Sequence, residues 1–361
     1  MHSGGAGYFE GETPHDRDAS PDSVEVRWHD AERAAMKGVL LHYARILGSS
    51  LILLLVVITI LFLLLEIAPG DPIQTLVGDV PVSEAMRAQL TETFGLDRPV
   101  WERFAVYVGN VVTGNLGVSF GTNEPVAQLI AERVGNTLAL TIPAFILSTA
   151  GGILLGSIAA RTRRRWLDSL LSGTAVGLFS LPNFWLGLML IMFFSVTLGW
   201  LPTQGKAPYG QEGIELQYLI LPVITMATME LAFKARVMRS SMIESLGQDF
   251  VDTAYSKGLS SQRVLWGHAL PNALLPMVTV AGYSLGHMLA GSVLVETVFG
   301  WPGIGQLFIG AINRQDTLLV LGIVIVITVM VLIVNVLTDV VYGIVDPRLR
   351  ARVSRSVRST A

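Results

Sequence analysis

The 361-residue chain contains no cysteine. Disulfides, thiolate metal sites and a cysteine nucleophile are therefore excluded. A phosphate-binding loop is missing too: it reads G-x-x-x-x-G-K-[ST], and the nearest candidate, Gly205 with Lys206, is followed by Ala207 and lacks the first glycine. No HExxH motif occurs, and the six histidines, at 2, 15, 29, 42, 268 and 287, are scattered. No serine stands in a nucleophile-elbow context, and nothing repeats at a fixed period. Catalytic residues are expected to be none, and so are metal sites, cofactors on this chain and contacts with nucleic acid. The start of the chain lacks the basic segment and short apolar core of a cleavable signal peptide.

Apolar length is what the chain has in abundance. Hydrophobic residues make up 51% of it, and the mean hydropathy is +0.55. Six runs have spanning length: Ile46 to Ile67, Thr137 to Ala160, Leu170 to Trp200, Tyr218 to Met238, Met277 to Val295 and Leu318 to Val345. Each approaches or exceeds the ~20 residues that carry a helix across ~30 Å of hydrocarbon. They are continuously apolar, whereas barrel strands alternate in segments of about 10 residues. The expectation is an all-α integral membrane protein with six transmembrane helices.

Orientation follows from lysine and arginine, which cytoplasmic loops retain. Nineteen of the 25 fall in residues 1–45, 161–167, 234–270 and 348–358, all on one side of a six-span chain. The other side holds Arg87, Arg98, Arg103, Arg133, Lys206 and Arg314. Both termini are expected in the cytoplasm, in a multi-pass plasma-membrane protein.

Five segments are expected: a disordered cytoplasmic tail (1–40), the first span (41–68), a helical extracytoplasmic insert (69–134), a five-helix core (135–346) and a basic cytoplasmic tail (347–361). In the insert, Ser83 is placed to cap a helix bearing Met86, Leu90 and Phe94, a second helix starts near Pro99, and Pro125 opens a third. Three GxxxG steps, Gly152/Gly156, Gly173/Gly177 and Gly282/Gly286, suit close helix approach. Pro182 is expected to kink the third span. Glu66 and Glu296 are expected to meet water at span ends, and residues 296–316 to dip back against the bundle.

A second insert, 240–275, interrupts the core. From Met242, Leu246, Phe250 and Ala254 form one stripe with Ile243, Val251 and Tyr255 beside it, while Glu244, Gln248, Asp249 and Asp252 face away. Gly258 ends that helix in the left-handed conformation, Leu259 folds back on it, and Ser260 or Ser261 caps a second helix through Leu270. A helix, a glycine turn and a helix, anchored by spans at both ends, transmit a push that a flexible loop would absorb.

"DTAYSKGLSSQRVLWGHALP" resembles the cytoplasmic signature of binding-protein-dependent ABC importer permeases: Glu-Ala-Ala, three residues, Gly, nine residues, Ile-x-Leu-Pro. Asp252, Thr253 and Ala254 stand at the Glu-Ala-Ala positions, Gly258 follows, and His268, Leu270 and Pro271 occupy the end; Asp252, Thr253 and His268 depart from the pattern. "IAPGDP", "FGLDRPV", "GNLGVSF", "LGWLPTQG", "ALPNALLP", "ETVFGWPGIGQL" and "DPRLR" are similar to the first permease subunit of dipeptide and oligopeptide importers. The resemblance covers about residues 40 to 350.

The resemblance implies a type I ABC importer permease fold and a coupling helix docked on a cytoplasmic ATPase, with Asp252, Thr253, Ala254, Gly258 and Leu259 as its docking core. It also implies a second homologous permease subunit, two ATP-binding subunits or a fused one carrying ATP and Mg, an extracytoplasmic substrate-binding protein and a peptide substrate. Nickel chelates, glutathione and other small solutes travel through the same branch. A stand-alone channel or ion-coupled carrier, the rival class, needs no docking helix; a structural scaffold needs none of these devices.

Ionisable groups in spans are candidates for the solute path because charge in hydrocarbon is costly. His287 in the fifth run, and Asn335 with Asp339 on one face of the last, are the candidates, with helix-to-helix hydrogen bonding as the other reading. Glu230 and Lys234, four apart in acid-first order, are expected to neutralise each other.

Overall fold

The computed structural model describes residues 21–67, 83–86, 88, 91, 97–161, 173, 177 and 182–345, with the backbone alone for 21–43, 342, 344 and 345. Among them the structure is all helical: α1 (Pro21–Ile67), α2 (Val100–Val112), α3 (Val126–Arg161), α4 (Asn183–Leu190), α5 (Leu216–Leu246), α6 (Asp249–Ser256), α7 (Ser261–Val264), α8 (Leu270–Val298), α9 (Ile304–Asn313) and α10 (Thr317–Val345). One π-helical stretch, Ile191–Thr197, continues α4, and another, Leu265–Ala269, joins α7 to α8.

Five segments are long and apolar enough to cross a membrane: Ala44–Ile67, Val126–Arg161, Leu216–Leu246, Ser261–Val298 and Thr317–Val341. The expected third span is described only from Pro182, as the shorter apolar helix Asn183–Thr197. Pro182 precedes that helix in an extended conformation. It therefore does not kink a helix there, consistent with a residue that supplies no backbone donor and suits a helix start.

Other boundaries differ from expectation for physical reasons. Residues 21–40, which fall in the tail expected to be disordered, are helical, and their Ala-, Glu- and Arg-containing stretch favours helix. The helix opened at Pro125 continues unbroken through Pro143 into the next span as the 36-residue α3. Of the helix expected after Ser83, most residues lie outside the described ones, but the Ser83 hydroxyl does accept the Met86 N–H, at 3.3 Å.

α3 and α5 pack with their backbones close together. A Cβ on Gly156 would stand 2.6 Å from the Ala235 carbonyl oxygen and 2.6 Å from Met238 Cβ, and one on Gly152 would meet Lys234 Cβ at 2.6 Å. Gly282 in turn lies against Thr338 of α10, and Gly286 is close to Val331. The first of these GxxxG steps brings helix backbones together and the second seats the side chains of α10 against α8; at Gly173 and Gly177 an added Cβ would meet no described atom.

The end of the bundle opposite α6 is tied by buried polar groups. Glu296, expected in water, is fully buried. It accepts from the Thr137 hydroxyl at 2.8 Å and the Gln306 N–H at 3.1 Å, while Thr137 accepts the Ile304 N–H at 2.8 Å. A carboxylate and a hydroxyl thus satisfy the first-turn donors of α9, which a buried helix end requires. Gly303 and Gly305 lie so close to that carboxylate that side chains there would collide with it. Asp316 caps α10 through the Leu319 N–H at 3.1 Å and holds the 119–121 loop through the Ser119 hydroxyl at 2.5 Å. α2 rests on α1 through Phe104 and Tyr107 against Phe62, and Arg103 pairs with Glu66.

Candidate functional site

The insert between α5 and α8 is a built corner. α5 runs to Leu246, further than expected, and Gly247 and Gln248 redirect the chain into the two-turn α6. Gly258, at φ +76°, then reverses direction in the left-handed region. The Leu259 N–H bonds to the Ala254 carbonyl at 3.3 Å and the Gly258 N–H to the Tyr255 carbonyl at 2.9 Å. That pair of bonds is the Schellman closure, and the contact of Leu259 with Ala254 completes it.

α7 does not stop at Leu270. It passes through the π-helical turn Leu265–Ala269 into α8, with Pro271 in the first turn, where a missing N–H is tolerated. The Ser245 hydroxyl donates to the Ala269 carbonyl at 2.9 Å from a buried position. The last turn of α5 is therefore bonded to the π-helical turn that leads into α8, and α6–α7 is held at both ends.

The insert has two faces, and the sequence assigned one of them wrongly. Ala254 (5% exposed) and Val251 face inward with Val264, and Leu259 packs on them. Phe250 and Tyr255, expected near the buried stripe, are exposed instead, as are Asp249, Asp252, Thr253, Ser256 and Lys257. A helix of two turns with one buried edge at 251 and 254 leaves 250 and 255 on its rim. Ala254 is thus a contact of the chain with itself: its small side chain lets α6 lie close on α7. The outward surface has two aromatic rings and two carboxylates.

A second constellation lies inside the bundle. Lys234 of α5 is fully buried, donates to the Ser148 hydroxyl at 2.8 Å and stands 4.7 Å above the Phe145 ring. Its Nζ is 4.0 Å from Glu230, which also accepts from the Ser284 hydroxyl at 2.5 Å and faces His287 Nδ1 at 3.2 Å. Glu230 and Lys234 do meet, but each has a nearer partner on another helix. Sequence reading had no way to pair Glu230 with His287, which lie 57 residues apart; the only hint was that both are ionisable groups within spans. His287, Asn335 and Asp339 are all exposed, and Asn335 Oδ1 would lie 3.9 Å from a Cβ on Gly286. No three metal-binding side chains cluster among the described residues.

Residues 152–351 match the family model of the binding-protein-dependent transport system inner membrane component, and residues 39–141 match the model of the N-terminal part of such components. The di/tripeptide transport system permease protein DppB of Pseudomonas aeruginosa (strain UCBPP-PA14) is 38% identical over 310 residues, covering 80% of this chain and 92% of that protein. The oligopeptide transport system permease protein AppB of Bacillus subtilis (strain 168) is 38% identical over 297 residues, 81% of this chain and 94% of its own. The glutathione transport system permease protein GsiC of Escherichia coli (strain K12) is 38% identical over 300 residues, with coverages of 82% and 94%. A solved structure of the MetNI methionine ABC transporter, facing inward, superposes with a TM-score of 0.51 at 19% identity over 61% of this chain and 97% of that one, a likeness of fold. The chain is a multi-pass inner-membrane protein with the permease fold of ABC importers, and it belongs to the family of binding-protein-dependent transport system inner membrane components.

Proposed function

We propose that this chain is a permease subunit of an ATP-driven importer of dipeptides and oligopeptides, with ATP hydrolysed on partner chains. The carrying observation is the 38% identity, over four fifths of the chain, to permeases named for di/tripeptide and oligopeptide transport. Its partners are a second homologous permease, two ATP-binding subunits or a fused one holding ATP and Mg, and an extracytoplasmic substrate-binding protein. Both termini and the α6–α7 corner lie in the cytoplasm, as the lysine and arginine distribution favours.

The exposed face of α6 docks on the ATPase. Phe250 and Tyr255 supply apolar area, and Asp249 and Asp252 supply charge for a basic rim, the composition of an interface centre with a polar edge. Because the corner is closed at Gly258 and bonded from Ser245 to Ala269, a displacement of α6 reaches α5 and α8 as one body. ATP closing the ATPase pair would in this way switch the bundle between inward-open and outward-open states.

The test is purification of the native complex in mild detergent, followed by uptake in liposomes. Two ATPase chains and a sister permease should accompany this chain, and Phe250→Ala should weaken that association by roughly tenfold or more, the size of a central aromatic contact. A chain that purifies alone and moves solute without ATP would overturn the proposal. ATP-driven uptake of glutathione in place of dipeptides would change the solute and leave the importer class standing.

A further inference from the structure

The exposed faces of the spanning helices are of two kinds. On α1 the exposed positions are aliphatic, Leu51, Ile52, Leu55, Val56, Ile60 and Leu64, and on α3 they include Ile142, Ile146, Leu147 and Leu154. These suit lipid chains. On α8 the exposed positions include Tyr283 (69%) and His287 (51% of its side chain) as well as Leu294, and on α10 Asn335 and Asp339 stand among the exposed Ile333, Leu337 and Val341, so polar groups interrupt an apolar surface there.

Depth makes the second face informative. His287 lies eleven residues before Val298, the end of α8. At ~1.5 Å per residue this is ~16 Å, about half of a ~30 Å hydrocarbon layer. An imidazole at that level, with a phenol one turn away, avoids lipid and faces protein or water.

The imidazole there is oriented. Glu230 Oε1 accepts at 3.2 Å from His287 Nδ1, and the Ser284 hydroxyl donates to the other carboxylate oxygen. A carboxylate is an acceptor only, so Nδ1 carries the proton and, in the neutral ring, Nε2 is left with its lone pair. Tyr283 stacks on the ring at 6.1 Å between centroids and 16° between planes, so its orientation is held from a second side. Lys234, fully buried behind Glu230, balances the carboxylate's charge without itself being reachable.

We propose that His287 and Tyr283, backed by Glu230, form a solute-contact subsite at mid-membrane that accepts N–H groups of the passing solute. This deepens the importer reading and rests on it: an extended peptide brings an N-terminal ammonium and amide N–H donors, and it needs an acceptor that holds each one only briefly. His287 is the contact residue through Nε2, and Glu230 is a positioning residue that acts through Nδ1.

The absence of cysteine makes the chain a ready background for the test. In the complete importer, reconstituted in liposomes, His287→Cys and Tyr283→Cys are treated with a cationic methanethiosulfonate, alongside Ile60→Cys and Ile146→Cys. Thiolate is the reacting form and needs water; positions 283 and 287 should label at least about tenfold faster than the two aliphatic controls. Transported dipeptide should slow labelling at 287. His287→Ala should reduce ATP-driven dipeptide uptake several-fold with the complex intact, and His287→Gln, which restores an acceptor oxygen, should recover much of it.

Labelling at 283 and 287 as slow as at the controls, because lipid or a sister subunit covers them, would overturn the subsite, as would normal uptake by His287→Ala. A wild-type importer that moves no dipeptide fails earlier and separately: that result removes the substrate reading before any variant is made.

Discussion

Gly258 offers the sharpest perturbation because only one effect is in play. A Cβ placed there meets nothing of this chain within 4 Å, so the first carbon of a side chain adds no collision and the backbone, at φ +76°, carries the cost within the chain. An L-residue in the left-handed region costs roughly 1–2 kcal/mol, asparagine less, and a β-branched residue more. A penalty of one or two kcal/mol lowers the population of the native turn by a factor of about 5 to 30. If the turn relaxes, the Gly258 N–H to Tyr255 and Leu259 N–H to Ala254 bonds go with it, and α7 no longer leaves α6 at the observed angle. The order of damage should therefore be Gly258→Asn, then Gly258→Ala, then Gly258→Val. In liposomes containing the complete importer, uptake per ATP hydrolysed should fall in that order, while membrane insertion and this chain's yield stay level. Gly258→Val coupling as well as wild type, or Gly258→Asn proving worse than Gly258→Val, would refute the reasoning.

Three more outcomes follow from the packing and the buried polar groups. Gly156→Leu should separate α3 from α5 and lower the melting temperature of the purified complex, since overpacking costs about 1–3 kcal/mol and here the obstacles are backbone and Cβ atoms that cannot swing away. Lys234→Met should destabilise more than the double variant Glu230→Gln with Lys234→Met, because the single change leaves a carboxylate in the bundle without its cation; losses in the two single variants that simply add in the double would show the two groups to be independent. Glu296→Leu strands the Thr137 hydroxyl and the Gln306 N–H in a buried site, at about 1–3 kcal/mol each, whereas Glu296→Gln keeps an acceptor; limited proteolysis near α9 should separate the two variants, the first being cut faster.

Much of the molecule was legible without coordinates. Continuous apolar runs can only be spanning helices, because lipid leaves no other partner for backbone N–H and C=O groups. Gly258 announced its own conformation, since the end of an amphipathic stretch followed by glycine is a left-handed closure and Leu259 stood where the closing contact needs it. Residues Gly152, Gly156 and Gly282 could be named as approach points from spacing alone, though nothing in the sequence distinguished them from Gly173 and Gly177.

Local pattern determined helix, span and turn, and it stopped at choices made between elements. Phe250 and Ala254 share a stripe at four-residue spacing, yet Ala254 is buried and Phe250 exposed, because the break at Gly247 frees α6 from the axis of α5 and Val264 then selects the edge of α6 it covers. Glu296 sits at a span end and reads as a group in water; only the return of α9 against Thr137 encloses it. Glu230 reads as a partner for Lys234 one turn away, and so it is, but the packing of α8 adds Ser284 and His287 at shorter range. A helix's own sequence sets which residues share a face. What that face touches is set by neighbours distant in the chain, and polar side chains in the low-dielectric interior take whichever partner those neighbours bring within hydrogen-bond reach.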